Sequence, residues 1–358
     1  MSDFSKDDIR AAVAAGVMNE GQAASLLALA QERLGVRDGL ANDDEPFEFF
    51  KGFSEIFVTV GLWLLFSGIL TFGAVIGGGL GVSIVGMILT WVFALYFNLK
   101  RRMSLPSISL AAGFGIFLGA TVLNLLSPSS NNIDAWHLII MGAFGMVGML
   151  MYFRIFKLPF SMFVFGIFGL ILIYAAMSSQ GSSLPLRDFP KGLFDLSESS
   201  GLALGSLVFG FIAFGLGIYF DTKDPHRISR FSATGFWLHL LAAPAIVNTM
   251  ALTLYNSGGP SAYLLTALLL FVVTIISLII DRRSFLTAGI GYLGAIIVWA
   301  MGSNLGNEVG MVYTLLILGA FITALGTWWV QIRSWLMRLL PDFPYKDRFP
   351  PYIRGHHD

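Results

Sequence analysis

The sequence predicts an all-α membrane protein, a polytopic bundle of about ten transmembrane helices with a small cytoplasmic helical hairpin before it. The first observation is composition: 56% of the 358 residues are hydrophobic and 12% are charged, against about 25% charged in soluble domains. The second is the recurrence of apolar runs near 20 residues, roughly the length of helix that crosses a 30 Å hydrocarbon core. The third is that lysines and arginines cluster in every second loop between these runs.

Ten spans follow from the lengths of the apolar runs. They are predicted at 53–76, 81–99, 105–126, 135–153, 160–177, 201–220, 231–254, 262–280, 285–301 and 311–330. Of the 22 Lys and Arg residues, only Arg187 and Lys191 fall on the side opposite the two termini. Because Lys and Arg are retained on the cytoplasmic side, both termini are expected in the cytoplasm, with the chain in a plasma (inner) membrane.

Polar segments flank the bundle. Residues 1–36 are predicted as a cytoplasmic helical hairpin, 37–52 as an acidic linker with an interfacial segment, 53–330 as the bundle, and 331–358 as an interfacial helix with a Pro-rich tail. The second helix of the hairpin carries a single apolar stripe that ends at Gly35. Because so small a unit cannot bury this stripe alone, residues 1–36 are predicted to bind a protein partner.

The start of the chain carries a recognisable pattern. Gly16-Val17, Asn19, Gln22-Ala23 and Leu26-Leu27 lie within AAGVMNEGQAASLLALAQERLG and precede an acidic linker and hydrophobic hairpins. This arrangement resembles an uncharacterised bacterial membrane-protein family, domain of unknown function twenty-one fifty-seven. The resemblance covers some thirty residues and the topology, and it implies no activity, substrate or catalytic residue.

A second pattern points to internal duplication. YFNLK (96–100) and YFDTK (219–223) each close a span, and each is followed by a basic turn and a Gly-Phe pair in the next helix. One interpretation is a tandem repeat of four helices. The other is that aromatic anchors and lysines simply recur at the membrane interface.

Ionisable residues inside a bilayer are costly and therefore mark candidate sites. Only His239 is expected deep in a span; Glu55, Asp134 and His137 lie at span ends. Without an embedded lysine, an arginine ladder, or paired acids, the sequence excludes a retinal pigment, a voltage sensor and an intramembrane protease. It predicts no metal site, no cofactor and no nucleic-acid partner, and the chain has no cysteine.

The candidate substrate-binding residues are His239, Asn248 and Asn124. Pro244 is expected to kink the seventh span because proline has no N–H for the helix. His239 is interpreted either as a hydrogen bond between helices or as part of a substrate or proton site. Asn248 and Asn124 would be equivalent in the two repeats and could line a shared outward cavity, or each could bond locally. Residues 178–200 form a long outer loop, expected as a surface connector or as a lid.

Three functions are compatible with these features. The first is a scaffold, assembly or interaction protein that uses the hairpin. The alternative is a transporter of an uncharged or amphipathic small molecule near His239; ten spans with both ends inside resemble the drug/metabolite transporter superfamily, although its five-helix inverted repeat is missing here. The third is a lipid-modifying enzyme, which is disfavoured because no nucleophile, base and acid converge. Homo-oligomerisation is left open.

Overall fold

The computed structural model describes residues 9, 11–12, 15–18, 22, 26, 53–76, 78–126, 133–177, 193–197, 200–224, 227, 230–300, 307–342, 344, 346–350 and 352. The chain divides into two compact units, Met1–Glu45 and Pro46–Asp358. In the first unit, helical residues 9, 11 and 12 precede a turn at 15–18, where Gly16 has a φ of 71°. Most of the predicted hairpin, and the linker at 37–52, lie outside the described residues.

The second unit is built from ten helices, and the described residues contain no strand. The helices are α1 (Phe53–Ile76), α2 (Gly79–Ala94, continued by a π-helical turn over Leu95–Lys100), α3 (Ser104–Leu126), α4 (Ala135–Phe156), α5 (Phe160–Met177), α6 (Ser200–Asp221), α7 (Arg230–Asn256), α8 (Gly259–Ile280), α9 (Ser284–Ala300) and α10 (Asn307–Leu339). Each predicted span coincides with one of them. The all-α membrane bundle is therefore confirmed.

Nine helices of the described part are long and apolar enough to cross a membrane, with spans of 18 to 27 residues. The remaining one, α9, is 17 residues long and coincides with the ninth predicted span. The last span and the predicted interfacial helix form the single helix α10, which is kinked at Trp328 (φ −104°, ψ 17°). Exposed apolar side chains such as Phe57, Leu264 and Leu316 face outward, as expected of a surface in lipid.

Helix packing repeats with a shift of four helices. α1 packs on α2 and α3, and α5 packs on α6 and α7; α2 packs on α3, and α6 on α7. α3 contacts α4 and α5 in the same way that α7 contacts α8 and α9. This recurrence is what the tandem-repeat interpretation requires. Since each repeat has an even number of helices, both copies cross the membrane in the same direction.

Two buried cores correspond to the two copies. One core is centred on α3 and α4 and is rich in aromatic rings, with Phe114, Phe117 and Tyr152 among its buried members. The other is centred on α7 and contains mostly small and aliphatic residues, such as Ala242 and Val247. We call the end of the bundle at which α2, α4, α6 and α8 finish the basic end, because Lys100, Lys157, Lys223 and Arg282 lie there.

Candidate functional site

The candidate site is a buried polar triad, Asp221, His239 and Arg282, near the basic end. His239 lies nine residues into α7, and its side chain is fully buried. Its Nε2 is 2.9 Å from Oδ2 of Asp221, the last residue of α6. The rings of Phe214 and Phe285 stand edge-on to the imidazole, at 5.5 and 5.8 Å between centroids. The imidazole thus lies between two aromatic rings and is hydrogen-bonded to the Asp221 carboxylate.

Arg282 completes the triad from the turn after α8. Its Nε donates to Asp221 Oδ2 at 3.1 Å and its Nη2 to Asp221 Oδ1 at 2.5 Å, which is a bidentate pair. Nη2 also donates to the backbone oxygen of Ser232 at 2.8 Å. Arg282 is 1% exposed. The triad therefore ties the end of α6, the first turns of α7 and the end of α8 together.

Two glycines make room for the triad. A Cβ added at Gly217 on α6 would lie 2.7 Å from the His239 ring. A Cβ added at Gly235 on α7 would lie 2.2 Å from Asp221 Oδ1. Because neither separation is attainable for a real Cβ, these positions accept only glycine in the present packing. The two glycines thus let α6 and α7 approach closely at the point where the triad side chains lie between them.

The triad corrects one sequence expectation. His239 was expected to be solitary, with no Asp or Arg beside it, and this expectation is wrong. Asp221 and Arg282 fall just beyond the predicted ends of their spans, where charges are normally solvated. The structure extends α6 to Asp221 and turns the chain after α8 through Asp281, whose φ of 57° is left-handed, so that Arg282 lies inside the bundle. The sequence signal for this partner was the aspartate of YFDTK, which is Asp221.

A second charged cluster surrounds Asp281. Trp329 donates its Nε1–H to Asp281 Oδ1 at 2.6 Å, and Arg227 Nη1 lies 3.2 Å from Oδ2. Arg333 Nε lies 3.8 Å from Oδ1 and donates to the backbone oxygen of Leu278 at 3.0 Å. We call Asp281, Arg227, Trp329 and Arg333 the Asp281 cluster. It connects the end of α8 to α10 directly beside the triad.

The other end of α7 is also held by polar contacts. Asn256 Nδ2 donates to Asp195 Oδ2 at 2.6 Å, and the backbone N–H of Leu196 donates to Thr253 Oγ1 at 3.0 Å. Asp195 is 2% exposed although it lies in the outer loop. We call Asp195, Thr253 and Asn256 the loop anchor. Of the outer loop, 178–192 and 198–199 lie outside the described residues, so the choice between lid and connector stays open there.

The structure places the other predicted site residues apart from one another. Asn124 is half-buried near the end of α3, where its Nδ2 donates to the Ala120 oxygen of the preceding turn at 2.8 Å. Asn248 is half-buried on α7. α3 and α7 belong to different cores. Pro244 lies inside α7, which continues through it from Arg230 to Asn256.

Two of the residues at span ends have capping roles. Oε2 of the buried Glu55 accepts the backbone N–H groups of Ser104 and Leu105 at 3.1 and 3.0 Å, at the start of α3. His137 Nδ1 accepts the N–H of Asp134 at 3.0 Å at the start of α4. Caps satisfy the N–H groups that a helix leaves unpaired at its first turn. These residues stabilise helix ends.

An apolar groove adjoins the triad on the far side of Phe285. It has a volume of about 450 Å³ and lies between α8, α9 and α10. Its lining includes Leu270, Leu278, Phe285, Leu293, Leu325 and Trp335. Phe285 thus contacts His239 with one edge and borders the groove. The groove could take an apolar chain or ring and has almost no polar surface for anything else.

No protein family, curated protein or solved structure matches this chain. The family resemblance of residues 14–35 therefore rests on its own motif. Among the residues that the structure describes, no group of three or more His, Asp or Glu side chains could hold a metal ion.

Proposed function

We propose that this protein is a carrier of an uncharged or amphipathic small molecule in a bacterial inner membrane, with both termini in the cytoplasm. In this proposal the polar triad is the closure on the cytoplasmic side and the loop anchor is the closure on the opposite side. Membrane association rests on the apolar helices. Orientation rests on the distribution of Lys and Arg.

The supporting observation is that α7 is held at two places by polar contacts, at His239 on the side of the basic end and at Thr253 and Asn256 at its other end. His239 and Asn256 are 17 residues apart on α7, or about 25 Å at the usual helical rise. Pro244 lies between them and removes the backbone hydrogen bond to the Leu240 oxygen. Both sets of contacts are ion pairs or hydrogen bonds, which can open and close without covalent change. A helix held in this way can release one end while the other stays closed.

The charges of the triad bear on the class of solute. The carboxylate of Asp221 faces both the Arg282 guanidinium and the His239 imidazole, so its charge is matched inside the protein. A buried ion pair that is satisfied in this way offers little to a charged solute. The adjoining groove is apolar and is bordered by Phe285, whose ring stands edge-on to His239. Both features favour an uncharged or amphipathic solute over an ion.

Cysteine accessibility tests the proposal directly, because the chain has no cysteine of its own. Ala242 and Thr249 are fully buried on α7 between the triad and the loop anchor. In sealed vesicles, Ala242→Cys should react with a water-soluble maleimide from the basic end when the triad is opened by Asp221→Asn with Arg282→Gln. Thr249→Cys should react from the opposite end when the loop anchor is opened by Asp195→Asn.

Alternating access makes a further demand on the same variants. Opening the triad should lower the labelling of Thr249→Cys from the opposite end, since only one side opens at a time. Two exposed positions, Ser257→Cys and Asp342→Cys, give the labelling rate of a fully accessible cysteine on each side. Arg230→Gln removes an exposed arginine on α7 and is the control for the loss of the Arg282 charge. Protection of both buried cysteines in every folded variant would rule out the carrier. The scaffold hypothesis depends on residues 1–36 and stays a prediction.

A further inference from the structure

The C-terminal segment folds back onto the basic end of the bundle. After α10, Lys346–Arg348 form a 3₁₀ turn, and Lys346 Nζ donates to the Leu340 oxygen at 2.8 Å. Phe349 then packs against the core that is centred on α7, and Pro350 is buried. We call residues 346–350 the C-terminal strap. The strap is therefore anchored to the bundle by an aromatic side chain that packs on its core.

Arg333 joins the strap to the end of α8. Its Nη2 donates to the Pro350 oxygen at 2.6 Å, and its Nε donates to the Leu278 oxygen at 3.0 Å. Arg333 is 4% exposed. A guanidinium with its donors fixed on two backbone oxygens holds two chain segments at a set distance. Moving the strap therefore frees one side of the guanidinium that supports the α8 end.

The same end of α8 carries both charged clusters. Asp281 belongs to the Asp281 cluster, and its neighbour Arg282 belongs to the triad. Ser277 near the end of α8 donates its hydroxyl to the Arg282 oxygen and so fixes this turn. Polar contacts run from Pro350 to Arg333 and on to Asp281. Asp281 is joined to Arg282 by the peptide bond of the turn, and polar contacts then continue from Arg282 to Asp221 and His239.

From this path we infer that the C-terminal strap is an autoinhibitory element that keeps the polar triad closed. The inference rests on the proposed function, since it assigns a regulator to the same closure. Arg333 is the positioning residue, because it contacts both the strap and the end of α8. Arg282 is part of the turn after α8 and moves with it. With the strap bound, the α8 turn stays in place and Arg282 stays on Asp221. With the strap released, Arg333 loses its contact to Pro350 and holds the α8 turn less firmly, so the triad opens more often.

Labelling of Ala242→Cys from the basic end measures this directly. Phe349→Ala removes the strap from the core, and Arg333→Gln removes its charged hydrogen bond. Each should raise the labelling rate roughly ten- to hundred-fold. Losing one hydrogen bond to a charged group changes a population by this factor, and losing the burial of one large apolar side chain has a similar effect. Phe349→Leu keeps an apolar side chain in the core and should restore slow labelling. Gln331→Ala alters an exposed polar side chain on α10, two residues before Arg333, and should leave the labelling rate unchanged.

The outcomes separate this inference from the proposed function. If Asp221→Asn with Arg282→Gln raises the labelling of Ala242→Cys but Phe349→Ala and Arg333→Gln do not, the strap is structural only and the inference fails. If none of these variants raises labelling, the carrier itself is wrong. If Phe349→Ala and Phe349→Leu raise it equally, strap packing is not what closes the triad. Thermal unfolding of each variant in detergent shows that labelling is compared between folded proteins.

Discussion

The two four-helix copies pack alike but differ in chemistry at the basic end. In each copy a Tyr-Phe pair is followed by a lysine four residues after the tyrosine, and the lysine lies over the ring: Lys100 over Tyr96 at 5.8 Å and Lys223 over Tyr219 at 4.0 Å. Two residues after the tyrosine, the first copy has Asn98 and the second has Asp221. Asn98 makes a 3.4 Å bond to the Phe156 oxygen. Asp221 instead holds an arginine and a histidine.

The difference extends to the partners of these residues. α4 and α8 are each followed directly by a residue with left-handed φ, Lys157 at 55° and Asp281 at 57°. The next residue is Leu158 in the first copy and Arg282 in the second. The first copy therefore has an apolar side chain at the position where the second copy has a guanidinium. The packing that both copies share is therefore compatible with either an apolar or an ionic end. In the proposed function the first copy is a support and the second carries the closure.

The largest effect is expected from Arg282→Gln alone. It leaves the buried Asp221 carboxylate without its ion-pair partner, which costs about 3–5 kcal/mol. The exposed Arg101→Gln in the first copy should change the free energy of unfolding by no more than about 0.5 kcal/mol. Thermal unfolding in detergent compares the two. Equal small losses would mean that the triad is hydrated and that the two copies do not differ in this respect.

Gly217→Ala should have the next largest effect. Its Cβ would lie 2.7 Å from the His239 ring, and forcing α6 and α7 apart costs about 1–3 kcal/mol. Gly215 on the same helix has no neighbour within 4 Å, so Gly215→Ala should be neutral or stabilise by up to about 1 kcal/mol. Unfolding measurements on this pair test whether α6 approaches α7 as closely as described. A neutral Gly217→Ala would contradict it.

The smallest effect should come from transplanting the ionic pair into the first copy. Asn98→Asp places a half-buried carboxylate beside Phe156 and should destabilise by roughly 1–2 kcal/mol. Adding Leu158→Arg should recover part of that loss if Asn98 and Leu158 correspond to Asp221 and Arg282. The coupling free energy from the double-mutant cycle decides the matter. A coupling of zero would show that the copies are not equivalent at this end.

The sequence alone was sufficient for the helices and insufficient for the site. Ten apolar runs near the length of a membrane span predicted ten helices within a few residues of their ends, except for α10, which continues past the predicted end at 330 to Leu339. His239 was identified because an ionisable residue deep in an apolar run is conspicuous without any partner in view. Asp221 and Arg282 were missed because each lies at the end of an apolar run, where sequence does not distinguish a solvated charge from a buried one.

What the sequence determined by itself was therefore the membrane environment and the order of the helices, since both follow from local hydrophobicity, run length and the placement of lysines and arginines. What only the tertiary structure decided was which charges meet. Asp221 comes from α6, His239 from α7 and Arg282 from the turn after α8, and 61 residues separate the two members of the ion pair. Their contact depends on glycines at 217 and 235 and on the left-handed turn at Asp281. Such contacts arise from packing between helices, which no local pattern of residues encodes.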